Sequence, residues 1–155
     1  MDAGIYLQEI AEQFAKLGLE AILIGNAAAA IQGAPVTTID IDFLFRETPS
    51  NVAKLKTLAK AMDLVIFIPR FPASQMFRLM RDSDNLQLDF FLRIGGIRTY
   101  ESLRSRATQV RFGGNQLLVA SLADVIKSKR AAGRPQDLAI LVTLEELKTT
   151  EFSPT

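Results

Sequence analysis

Gly25-Asn26-Ala27-Ala28-Ala29-Ala30, then Thr38-Ile39-Asp40-Ile41-Asp42-Phe43-Leu44-Phe45, is the stretch on which the reading of this chain turns. The residues around the two aspartates are β-branched, aromatic or bulky aliphatic, the make-up of a buried strand. An ionised carboxylate in such a strand must be paired, hydrated or bound to a cation. Strand side chains alternate, so Asp40 and Asp42 project from one face with Cα atoms about 6.5 to 7 Å apart. Two carboxylates that close repel each other unless a cation lies between them. A pair of divalent ions about 3.5 to 4 Å apart would be bridged by them, and the same ions could clamp a triphosphate. Gly25-Asn26 follows the apolar run Leu19 to Ile24 and opens a helical turn, presenting backbone N–H groups where an anionic phosphate is favoured.

Upstream, Tyr6, Ile10, Phe14 and Leu17 form the stripe of an amphipathic helix, which Gly18 ends. The short helix from Ala27 to Gln32 stops at Gly33-Ala34-Pro35. Downstream of the acidic strand, Val52, Leu55, Leu58, Ala59 and Met62 predict another helix, and Leu64 to Ile68 a strand stopped by Pro69. Phe71 to Arg81 fits a strand or a single helical turn, and Asp82 to Asn85 is a turn by composition. Leu86 to Phe91 is a strand that carries a third acidic residue: Asp89 shares a face with Gln87 and Phe91, while Leu86, Leu88 and Phe90 face the other way. If this strand neighbours the first, three carboxylates converge.

Tyr100 to Ser105 predicts a short helix. Thr108 to Phe112 and Gln116 to Val119 form a hairpin around Gly113-Gly114-Asn115. Ser121 to Asp124 has capping-box spacing, with Asp in place of Glu, ahead of a helix closed by Gly133. Pro135 opens a last helix, Gln136 to Leu147. Phe90-Phe91 is expected to pack, Lys127 to Arg130 to form a solvated face, and Arg78, Arg81, Arg104 and Arg106 have no common face. Helices and strands interleave without regular βαβ repetition, so the expected class is α+β, a mixed β-sheet flanked by helices. We expect a single domain over residues 1–148 and a frayed tail over 149–155.

The chain has 155 residues, enough for one domain with its own core, and balances 18 basic against 17 acidic residues. No overall field recruits a long nucleic acid or an acidic membrane. With no Cys and no His, thiol nucleophiles, Cys-ligated zinc and the commonest general base are excluded, leaving carboxylate chemistry suited to Mg²⁺ or Mn²⁺. No apolar run approaches the roughly 20 residues of a membrane span, and Met1 to Gly4 shows no signal-peptide pattern, so a cytoplasmic protein is expected.

The ordered set Gly25-Asn26, Gly33-Ala34-Pro35, Thr38 to Phe43 and the later strand residue Asp89 resembles the nucleotidyltransferase fold of the DNA polymerase beta superfamily. The stretch Val119 to Leu138, with Lys127, Lys129 and Arg134-Pro135-Gln136-Asp137, is similar to small bacterial members of the minimal and abortive-infection types, many of them encoded in toxin–antitoxin pairs. The resemblance covers most of residues 20 to 140. It implies transfer of NMP from an NTP, ATP in the first instance, to a hydroxyl of a protein, a tRNA end or a small molecule. It implies that Asp40, Asp42 and Asp89 hold Mg²⁺ or Mn²⁺, that Asp89 also helps activate the acceptor hydroxyl, and that Gly25, Asn26, Lys127 and Lys129 bind the nucleotide. Partner proteins it allows are a cognate toxin or a protein acceptor. Asn26 stands where the family carries a small Gly or Ser, which motivates the alternative of an inactive, antitoxin-like interaction protein.

Overall fold

The computed structural model describes residues 3–36, 40–68 and 76–151. Among these, six helices and seven strands follow in the order α1 (Ala3–Leu17), β1 (Ala21–Ile24), α2 (Gly25–Ile31), β2 (Asp40–Phe45), α3 (Pro49–Ala61), β3 (Val65–Phe67), β4 (Met76–Arg81), β5 (Leu86–Phe91), α4 (Tyr100–Arg106), β6 (Thr108–Phe112), β7 (Asn115–Val119), α5 (Leu122–Ala132) and α6 (Pro135–Glu151). The expected α+β class holds, with the strands in one mixed sheet ordered β3-β4-β5-β2-β1-β7-β6. β2 runs antiparallel to β1 and parallel to β5, while β1 runs parallel to β7.

Alternation along β2 and β5 gives the sheet two chemically different faces. Ile41, Phe43, Phe45, Leu86, Leu88 and Phe90 are buried on one face. There Phe43 stacks on its register partner Phe90 at 5.1 Å between ring centroids, and Phe14 of α1 closes over both. Each such aromatic pair adds about 0.5 to 1.5 kcal/mol beyond the area it buries. Asp40, Asp42, Gln87 and Asp89 occupy the other face, where α2, α5 and α6 border a cavity. The phenylalanine face thus locks the two strands together and sets the register of the acidic face behind it.

Met76 to Arg81 is a strand, which settles the stretch that also fitted a helical turn; residues 69–75, and the expected start of β2 at Thr38 and Ile39, lie outside the described residues. α5 is capped by Ser121, whose hydroxyl accepts from the Asp124 N–H at 3.1 Å. Asp124 does not reach back to the backbone as the Glu of a capping box would. Its carboxylate accepts instead from the Ser121 hydroxyl at 2.9 Å and from Arg106 at 2.7 Å, tying α5 to the end of α4. α6 runs to Glu151, past the boundary expected near residue 148; residues 152–155 lie outside the described residues.

Candidate active site

β2 and β5 lie side by side in parallel, with Asp40 opposite Gln87 and Asp42 opposite Asp89. The condition for the three carboxylates to converge is met. Asp40, Asp42 and Asp89 line one cavity of about 920 Å³, bordered also by Gly25 and Asn26 of α2, by Lys129 of α5 and by Arg134 and Asp137 at the start of α6. A volume of that order falls within the range of small-molecule sites.

Gly25 sits where the chain leaves β1 and enters α2, in the left-handed region at φ 65°. A Cβ there would stand 3.0 Å from Oδ2 of Asp42. Only glycine meets both demands without strain, and it lets the backbone approach the carboxylate. α2 begins with no side-chain cap, so its first N–H groups are left without a side-chain acceptor.

The three carboxylates differ in their surroundings. Asp42 is half-buried and has no hydrogen-bond or ion-pair partner among the described residues. Burial, then repulsion from Asp89 and Asp40, pushes its carboxyl up to about 7, against the pull of Lys129 and Arg134. Asp40 is raised by burial and by Asp89, with Arg78 opposing. Asp89, 4% exposed, is held from two sides. Arg78, its cross-strand partner on β4, donates Nε to Oδ1 at 2.9 Å and Nη2 to Oδ2 at 3.2 Å, and Gln87 donates Nε2 to Oδ2 at 3.0 Å.

Asp40 and Asp42 therefore fit a hard divalent cation: they offer oxygen donors on one strand face, and a cation relieves their repulsion. Asp89 does not offer itself in the same way, because Arg78 and Gln87 occupy its oxygens. Among the described residues, no group of three or more acidic side chains is gathered as a metal-binding set. This departs from the expectation of a three-carboxylate cradle; a bidentate guanidinium stands where the resemblance places a cation.

The basic border of the cavity comes from the corner between α5 and α6. Gly133, left-handed at φ 66°, caps α5 and turns the chain so that Arg134 comes back over the site. Arg134 donates Nε to Oδ2 of buried Asp137 at 2.6 Å and Nη2 to Oδ1 at 3.1 Å, while Nζ of Lys129 lies 3.7 Å from Oδ1. The Arg134 hydrogen bonds hold the Asp137 carboxyl low. Burial pulls the Lys129 ammonium down, with Asp137 opposing.

Lys129 lines the cavity, but Lys127 is exposed and does not. Two residues along a helix turn the side chain by about 200°, so the two lysines point to opposite sides. Arg130, the last residue of the run that begins at Lys127, faces α6 and pairs with Glu145 at 2.9 Å. The expected solvated face is interrupted by Lys129, the buried member of that run.

The sequence left Arg78 unplaced and gave Asp137 no role beyond its place in the Arg134-Pro135-Gln136-Asp137 stretch. The signal for Arg78 was present. Once Met76 to Arg81 is a strand joined to β5 by the turn Asp82 to Asn85, counting outward from Arg81 opposite Leu86 brings Arg78 opposite Asp89. The clustering of Lys129, Arg134 and Asp137 depends on how α5 and α6 meet, which spacing alone does not reveal.

No family model matches the sequence, and no curated protein matches it. In three dimensions the chain is similar to an antigenic nucleotidyltransferase-like protein from Paracoccidioides brasiliensis, with TM-score 0.61 and 16% identity over 94% of this chain and 76% of that one. It is similar also to the lincosamide antibiotic adenylyltransferase LnuA in its lincomycin-bound form, with TM-score 0.64 and 12% identity over 95% of this chain and 98% of that one. The antibiotic-resistance factor ANT(2'')-Ia matches with TM-score 0.60 and 12% identity, over 99% of this chain and 86% of that one. Two carboxylates on a strand beside a Gly-opened helix, a third on the parallel neighbour and this agreement in three dimensions lead to one assignment: the chain has a nucleotidyltransferase fold.

Proposed function

We propose that the chain is a metal-dependent nucleotidyltransferase that moves a nucleoside monophosphate from an NTP, with ATP as the expected donor, to a hydroxyl acceptor. The observation that carries this is the register of β2 on β5, which sets Asp42 beside Asp89 on the face that bears Asp40 and opens all three onto a cavity bordered by Lys129 and Arg134. Asp40 and Asp42 hold Mg²⁺ or Mn²⁺. The chemistry supplied when the ion is bound is neutralisation of charge on the triphosphate oxygens.

The backbone at Gly25 and Asn26 and the ammonium of Lys129 contact the triphosphate, and Arg134 adds positive charge beside it. The acceptor oxygen attacks the α-phosphorus, the bond to the bridging oxygen of the leaving pyrophosphate breaks, and the hydroxyl proton passes to Asp89. Burial of the carboxylates in a shared cavity makes each of these charge interactions stronger than it would be in water.

LnuA, similar in fold, is an antibiotic adenylyltransferase whose structure holds lincomycin. That supports a small-molecule hydroxyl as one acceptor class, beside a protein hydroxyl or a tRNA end. A near-neutral chain with 18 basic and 17 acidic residues disfavours a long nucleic acid. No helix among the described residues is long and apolar enough to cross a membrane. We place the protein in the cytoplasm, with a role in a toxin–antitoxin pair as the context to test.

Incubation with α-labelled NTPs, Mg²⁺ and a cell lysate is the direct test. Label transfer that disappears in Asp42→Ala supports the enzyme. Absence of transfer by the wild-type chain, together with no rise in melting temperature on adding NTP and Mg²⁺, overturns it, since a ligand that binds only the folded state must stabilise it. A second reading, an inactive antitoxin-like binding protein, is favoured by Asn26 at the phosphate turn and by Arg78 on Asp89. It predicts no transfer by the isolated chain and a stable complex with a toxin that loses its activity on binding.

A further inference from the structure

Asp89 is the most deeply buried of the three carboxylates, and Arg78 and Gln87 hold it. Arg78 faces it across the β4–β5 pair in a two-point contact at 2.9 and 3.2 Å. The guanidinium is not itself enclosed: its side chain is 37% exposed and lines the cavity beside Asp40 and Asp42. It thus borders the same cavity as the carboxylate cluster, where a nucleotide phosphate could reach it.

Resting on the transferase reading above, we infer that Arg78 is a positioning residue that withholds Asp89 from metal binding until the phosphate of an incoming nucleotide draws the guanidinium away. The exchange is chemically balanced, because a guanidinium forks onto phosphate with the same planar two-point geometry that it uses on carboxylate. Gln87 stays behind on Oδ2 of Asp89 at 3.0 Å, so one donor remains when Arg78 leaves. Only a side chain has to move. Arg78 lies mid-strand, with the backbone of β4 paired to β5 on one side and to β3 on the other. In the nucleotide-free chain the site is therefore a two-carboxylate site with a resident cation, and nucleotide binding completes it.

The test reads metal binding, not turnover. Mn²⁺ affinity in the absence of nucleotide is measured by electron paramagnetic resonance for the wild type, Arg78→Gln, Asp89→Asn and the double variant. Loss of the latch is expected to tighten Mn²⁺ binding by about tenfold or more in Arg78→Gln, and the gain is expected to vanish in the Asp89→Asn background, as coupling through one contact requires. Arg93→Gln removes another arginine that lines the cavity and makes no ion pair among the described residues. It controls for the general change of charge and is expected to stay within about twofold of the wild type.

Should Arg78→Gln fail to fold, Arg78→Lys keeps the charge without the fork and is expected to bind Mn²⁺ more tightly than the wild type. Binding of Mn²⁺ that is unchanged in Arg78→Gln or Arg78→Lys, or a gain that survives Asp89→Asn, overturns the latch and leaves Arg78 as a structural ion pair. A wild-type chain that binds neither Mn²⁺ nor NTP overturns the transferase reading itself, and the latch with it.

Discussion

Gly25 and Asp42 constrain each other. With the backbone at φ 65° and only 3.0 Å between a would-be Cβ and Oδ2 of Asp42, Gly25→Ala is expected to cost about 1 to 3 kcal/mol, seen as a lower urea midpoint at unchanged slope. Asp42 carries a charge the folded state disfavours. Its carboxyl is pushed from an ordinary 3.8 up to about 7, so between those values the folded chain keeps a proton that the unfolded chain has released. The stability it contributes is present in full below about pH 4 and is lost as pH rises through about 7. Urea titrations of the metal-free chain should show stability falling over that window, and Asp42→Asn should flatten the fall and leave the protein more stable than the wild type at pH 8. Unchanged pH dependence in the variant would assign the slope to another group. Both residues were legible in the sequence, because a carboxylate inside an apolar strand and a glycine at a strand-to-helix turn are local facts.

At the scale of elements, α5 sorts its lysines by rotation. Lys129 turns inward to the cavity and to Asp137, while Lys127 turns to solvent. Lys129→Met is expected to weaken NTP binding by about tenfold or more, about 1.4 kcal/mol, while Lys127→Met changes it by less than about twofold. Calorimetric titration of both variants checks this, and equal losses would show that the charge acts at long range only. The helix itself was readable from Ser121 at its start and Gly133 at its end. Which side it buries is legible in Leu122, Val125 and Ile126, whose helical spacing runs on to Lys129, but that this side meets Asp137 of α6 depends on contact between the two helices. The same holds for Asp137: its place in the first turn of α6 is a matter of spacing, but its pairing with both Lys129 and Arg134 follows from the angle at which the helices meet.

At the scale of the molecule, the site rests on the reverse of the sheet. Phe43 and Phe90 stack at 5.1 Å under Phe14, and their packing holds β2 against β5 in the register that pairs Asp42 with Asp89. Phe90→Ala is expected to cost about 3 to 5 kcal/mol through the cavity it leaves, lowering Tm by roughly 10 °C in calorimetry. A much smaller shift would mean that the core closes over the gap. By itself the sequence determined the kinds of elements and which residues share a face, since periods of 3.6 and 2 are written locally in the chain. Only the tertiary structure decided that β5 is the neighbour of β2, that Arg78 lies across from Asp89, and that Lys129 and not Lys127 meets the carboxylates. Those outcomes depend on contacts between segments far apart in the chain, set by how buried side chains fill one shared core.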